Sequence, residues 1–108
     1  MVTGKNKEQF EEWFNSKPLE DKTNPITPNY LSFFLKYPFE MQIGVYLAYY
    51  DSFGYVIDVM YLFAFEQYTF ELENKGGDLN LPYKENLFKT RNEAYKEAFK
   101  QADKLSNQ

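Results

Sequence analysis

Apolar positions along the chain fall into stretches with different periods. In residues 6–16, Phe10, Trp13 and Phe14 recur at i, i+3 and i+4, which predicts a short helix with one apolar stripe, and Asn6 with Gln9 is its expected cap pair. The next stretch, "KPLEDKTNPITPN" at 17–29, has three prolines and no apolar period, so it is read as a Pro-rich loop. Thr27 followed by Pro28 then suits a helix start, with a short helix over about 28–36 and Pro38 as its stop.

From Phe39 the period switches to two. Phe39, Met41, Ile43, Val45, Leu47 and Tyr49 share one parity; Glu40, Gln42, Gly44, Tyr46, Ala48 and Tyr50 share the other. That alternation predicts a long strand buried on one side. "DSFG" at 51–54 is the expected turn, with Gly54 free to take positive φ. A second strand follows, with Tyr55, Ile57, Val59, Tyr61 and Phe63 on one side and Val56, Asp58, Met60 and Leu62 on the other. A third fits Tyr68–Glu73, joined through a bend near 64–67 that has neither Gly nor Pro. "NKGGD" at 74–78 closes the sheet, and a loop containing Pro82 leads to the last helix, 90–105. Thr90 and Glu93 form a capping box at its start. Ala94, Ala98, Ala102 and Leu105 make its inward stripe beside Tyr95 and Phe99, and Lys96, Lys100 and Lys104 form a separate row.

These elements predict one α+β domain over 1–108: a helical N-terminal part to residue 38, a three-stranded antiparallel meander over 39–73, and helices packed on one sheet face. The order resembles that of a double-stranded-RNA-binding domain, in topology alone.

Composition changes this picture mainly by exclusion. The chain has 108 residues, with ten Tyr, eleven Phe and one Trp, which is not the make-up of a disordered segment. It has no cysteine and no histidine. Disulfides, thiolate nucleophiles, Cys-based metal sites and Ser/His triads are therefore ruled out. No Gly-rich phosphate motif stands in a strand–loop–helix context, and no nucleophile–base pair emerges, so a non-enzyme without cofactor or metal is expected. The N-terminal "MVTGKNKEQF" has no apolar run, so no secretory signal is expected, and the apolar stretch "VMYLFAF" at 59–65 is too short to span a membrane.

Charge is uneven. Residues 39–83 hold seven acids and one base, whereas 84–108 hold six bases and four acids. The middle of the chain should repel a nucleic-acid backbone and the C-terminal helix could tolerate one. Two sets of candidate contacts follow. Tyr46 and Tyr50, read as exposed rings, with the acids Glu71 and Glu73, form a candidate protein-binding face. Arg91, Lys96, Lys100 and Lys104 form the alternative, a nucleic-acid-binding stripe. Asp51, Asp58 and Glu66 complete a set of acids better read as a solvated sheet face than as a metal site.

"PFEMQIGVYLAYYDSFG" (38–54) and "TRNEAYKEAFKQADKL" (90–105) together resemble small uncharacterised phage and mobile-element proteins of Bacteroidota. The resemblance implies a phage-type inhibitor of a host defence nuclease, in the manner of anti-CRISPR proteins, acting in the cytoplasm of the bacterial host. Its implied partner is a host protein, of which a type VI-B RNA-guided ribonuclease or its RNA-loaded complex is the specific case, with no membrane partner. A small RNA-binding module and a phage structural or assembly protein are the alternatives.

Overall fold

The computed structural model describes residues 2–16, 30–75, 80–81 and 87–108. The Pro-rich loop, the Thr27–Pro28 pair, most of "NKGGD" and the loop around Pro82 lie outside the described residues. Helix α1 spans Gly4–Ser16, α2 Tyr30–Phe34, α3 Phe39–Ser52 and α4 Arg91–Ser106. Strands β1 (Tyr55–Leu62) and β2 (Gln67–Asn74) form an antiparallel hairpin, and a two-residue strand, β3 (Asn80–Leu81), pairs antiparallel with β2. The architecture is α+β.

The largest correction to the sequence reading is α3. Residues 39–50 are helical, so the meander does not begin there and the likeness in order to a double-stranded-RNA-binding domain lapses. The segment is apolar nearly all round, and an all-round apolar segment satisfies a period of two and a period of 3.6 alike. Length is the better discriminator: twelve residues exceed the ordinary strand of about five or six. The buried set Gln42, Tyr46, Tyr49 and Tyr50 follows helical spacing, and it faces inward. Pro38 does not only end what precedes it; with φ −55° and ψ 149° it is the N-cap of α3. The Gln42 side-chain amide donates to the carbonyls of Phe34 and Tyr37, both at 3.0 Å, and fixes the corner between α2 and α3.

Elsewhere the patterns translate directly. The strand ranges 55–63 and 68–73 correspond to β1 and β2. Gly54 takes φ 92° in the tight turn that joins α3 to β1, a conformation that disfavours any side chain. The odd row of β1 carries Ile57 and Val59, which face Leu72 and Phe70 across the ladder and join the core with Tyr46, Tyr50, Ala98, Phe99 and Ala102. The alanine stripe lets α4 lie close: Ala94, Ala98 and Ala102 are fully buried. Thr90 caps α4, its Oγ1 accepting from the Glu93 N–H at 3.2 Å.

The interior is an aromatic cluster closed by a polar clasp. Phe10 lies 5.2 Å from Tyr46 and 5.1 Å from Tyr49 between ring centroids, and Phe99 stacks on Tyr50 at 6.0 Å. Asn6, read from sequence as a cap, is instead inside α1 and fully buried. Its amide donates to Tyr50 Oη at 3.0 Å and to Asp103 Oδ1 at 2.8 Å, while Tyr49 Oη donates to its Oδ1. Asp103 also accepts from Thr3, through the N–H at 2.7 Å and the hydroxyl at 2.6 Å, which sets a carboxylate against the positive end of α1. Gly4 has φ 55°, and a Cβ there would meet Asn107 Oδ1 at 2.8 Å, so this junction of the two chain ends needs glycine.

Candidate protein-binding site

The hairpin turn comprises Phe63, Ala64, Phe65 and Glu66 between paired Leu62 and Gln67. The Phe65 N–H donates to the Leu62 carbonyl at 3.1 Å, and Glu66 closes the loop at φ 51°. A non-glycine residue there costs of order 1 kcal/mol. Turns ordinarily draw on Gly, Asn, Asp, Ser and Pro. Here the positions with most freedom carry two phenylalanines, 86% and 62% exposed. Tyr61, 40% exposed, meets Phe63 edge-on at 5.1 Å and Tyr68 at the same distance. Arg91 lies over the Tyr68 ring at 5.5 Å, tying the base of this aromatic group to the start of α4. The result is a hairpin whose apolar tip stands in water.

Behind the tip, the even row of β1 and its partners form the other sheet face. Asp58 stands directly opposite Glu71, and Val56 opposite Glu73. Two carboxylates in register repel each other. Among the described residues the one ion pair lies elsewhere, Lys75 to Asp51 at 3.3 Å. Glu71 is half-buried and Glu73 exposed. The hairpin thus combines an aromatic end with an acidic flank.

The site residues expected from sequence are divided by the fold. Tyr46 and Tyr50 are each 1% exposed and belong to the core, so neither ring is a surface contact. The reason is the period: four residues apart lie on one helix face, and α3 turns that face inward. Burial raises the Tyr46 and Tyr50 hydroxyls above the usual phenol range, and burial with Asp103 nearby pushes Tyr49 up to about 12. Glu71 and Glu73 remain together on the sheet. Lys96, Lys100 and Lys104 are exposed on the side of α4 away from its alanine stripe, but Arg91 points elsewhere, toward Tyr68. Lys96 lies over the Phe39 ring at 5.3 Å. Of the four cations two therefore have aromatic partners on different neighbours, and the set is not one stripe. Among the described residues no three acidic side chains converge to hold a metal ion, and no helix is long and apolar enough to cross a membrane.

Sequence reasoning placed Phe63 on a strand face, where the structure has it in the turn, and counted neither Phe63 nor Phe65 as a site residue. Their signal was the apolar run "VMYLFAF", which continues through a turn instead of stopping at it.

No family model, no curated protein and no solved structure matches this chain.

Proposed function

We propose that this chain is a non-enzymatic protein-binding domain that uses the aromatic tip of its β-hairpin as an anchor, with Tyr61, Phe63 and Phe65 entering an apolar pocket of the partner. The observation that carries this reading is the pair of exposed phenylalanines in a turn, where folding calls for polar or small residues. Aromatic side chains that leave water on docking supply most of the energy of a small interface. The acidic flank, with Glu71 and Glu73, selects a partner whose pocket is edged by basic groups. A groove that ordinarily holds nucleic acid has that character. It suits the inhibitor role implied by the resemblance to phage proteins: a host defence nuclease, of which a type VI-B RNA-guided ribonuclease is the specific case.

The test uses purified type VI-B ribonuclease, with and without guide RNA, against the wild-type chain and the Phe63→Ser/Phe65→Ser variant. Binding and inhibition by the wild type, lost in the variant while its thermal midpoint holds, support the reading. Wild-type inhibition that the variant retains removes the tip from the mechanism. With no wild-type binding, the nuclease proposal fails. The tip itself is then tested by pull-downs from a Bacteroidota lysate treated with RNase, where partners common to wild type and variant would remove it.

The exposed row Lys96, Lys100 and Lys104 keeps a second reading, direct RNA binding. It predicts affinity for single-stranded RNA that falls steeply with salt and disappears when the three lysines become glutamine.

A further inference from the structure

The sheet has one long terminal strand. β1 stands at the end of the order β1-β2-β3, and its sequence, "YVIDVMYL", has no proline, lysine or glycine. Natural edge strands are usually short or carry such residues, because unpaired main-chain groups recruit other strands.

The direction of those groups follows from the ladder. Tyr68 uses both its N–H and its carbonyl on Phe88, at 2.7 and 2.8 Å. Tyr61, opposite Tyr68, is therefore in a non-hydrogen-bonded pair. By alternation Val59, Ile57 and Tyr55 are too, and their N–H and C=O groups point away from β2. At the other end Gly54 confirms the phase, its carbonyl accepting from Lys75 N–H at 2.7 Å. Among the described residues no strand pairs with this edge. Beside it an open cleft lies between Leu47 and Ala48 of α3 and Val56 of β1.

We infer that β1 pairs with β1 of a second copy, antiparallel about a two-fold axis at Val59, to give a closed dimer with one continuous sheet. The occupant is a second copy because, of the two symmetric registers that pair seven residues of β1, one sets no like charges against each other. The outward groups belong to odd residues, so odd must pair with odd. An axis at Asp58 would oppose Asp58 to its own copy at the close separation of a non-hydrogen-bonded pair. Moving the axis by one residue, to Val59, sets Asp58 against Met60, Val56 against Leu62 and Ile57 against Tyr61. Every pair is then apolar except one acid facing a thioether, and the exposed Tyr61 ring gains the partner's Ile57 as a neighbour. Asp58 both blocks the wrong register and limits open-ended pairing. The two hairpin tips point to opposite ends of the joined sheet, so the dimer is bivalent.

This inference shares Tyr61 with the tip but needs neither Phe63 nor Phe65 as an anchor, and mass separates the two readings. Light scattering coupled to size exclusion should give twice the 12.9 kDa chain mass, without larger species. Met60→Asp opposes two acids at each symmetric pair and should raise the dimer Kd about tenfold or more. Adding Asp58→Lys to Met60→Asp restores opposite charges and should restore the dimer. Circular dichroism checks that each variant keeps its fold. The chain has no cysteine, so Val59→Cys gives a single reporter that should form a disulfide-linked dimer under mild oxidation. A wild-type monomer at several hundred micromolar overturns the proposal, as does a dimer indifferent to both charge changes, or one in which Val59→Cys does not crosslink. The Phe63→Ser/Phe65→Ser variant should remain dimeric.

Discussion

Two aromatic groups of similar composition behave in opposite ways in this molecule. In the interior, Phe10, Tyr46, Tyr49, Tyr50 and Phe99 pack ring to ring, and Asn6 satisfies the hydroxyls of Tyr49 and Tyr50. At the hairpin tip, Tyr61 touches Phe63, and Phe63 and Phe65 stand in water. The first group has a structural reason for every ring. In the second, Tyr61 pairs with Tyr68 across the ladder, but Phe63 and Phe65 sit in a hairpin turn, which folds better with small or polar residues. Aromatic content alone therefore does not locate function; what separates the two groups is whether the fold consumes the apolar surface.

The contrast can be broken most forcefully at the core. Phe99→Ala removes the ring shared by Tyr46, Tyr50 and Tyr95 and should lower unfolding stability by about 3–5 kcal/mol in urea denaturation. If it costs no more than a surface change, the interior is not the close-packed group described. Joint replacement of Tyr46 and Tyr50 by Ala should abolish cooperative unfolding.

Next comes the clasp. Asn6→Ala strips partners from Tyr49, Tyr50 and Asp103 at once and should cost about 2–3 kcal/mol. A neutral outcome would mean that water replaces the amide without loss.

Alkali gives a third, smaller handle. Tyr49 titrates at about 12 when folded against an ordinary 10.0, mainly through burial. Above the unfolded value, the unfolded chain releases this proton while the native one keeps it. Stability is therefore full below that value, falls as pH rises toward the folded value, and levels beyond it. Tyr46 and Tyr50, also raised, act in the same sense. Absorbance at the phenolate band should show these tyrosines ionising only with unfolding, after the exposed ones; simultaneous titration of all ten would contradict their burial.

The smallest effect belongs to the tip. Phe63→Ser with Phe65→Ser should leave stability within about 0.5 kcal/mol of wild type, measured by the same denaturation. A large loss would make the tip part of the core and remove the reason for assigning it a partner.

Local chemistry was enough for several features. The Thr90–Glu93 capping box and the alanine stripe specify α4, because a cap and a close-packing face are written in neighbouring residues. The alternation in 55–63 and in 68–73 specifies the hairpin, because within each strand only one parity is consistently apolar. The absence of Cys and His limits the available chemistry whatever the fold. Residues 39–52 were not decided locally: an apolar segment that fits two periods takes the one its neighbours can cover, and α1, α4 and the sheet together cover a helix. That choice turned Tyr46 and Tyr50 from surface candidates into core, and it left Phe63 and Phe65 as the exposed aromatics of the hairpin. The sequence by itself determined which residues would have to leave water. Only the tertiary structure decided which of them did, because burial depends on what packs opposite, and that partner lies far along the chain.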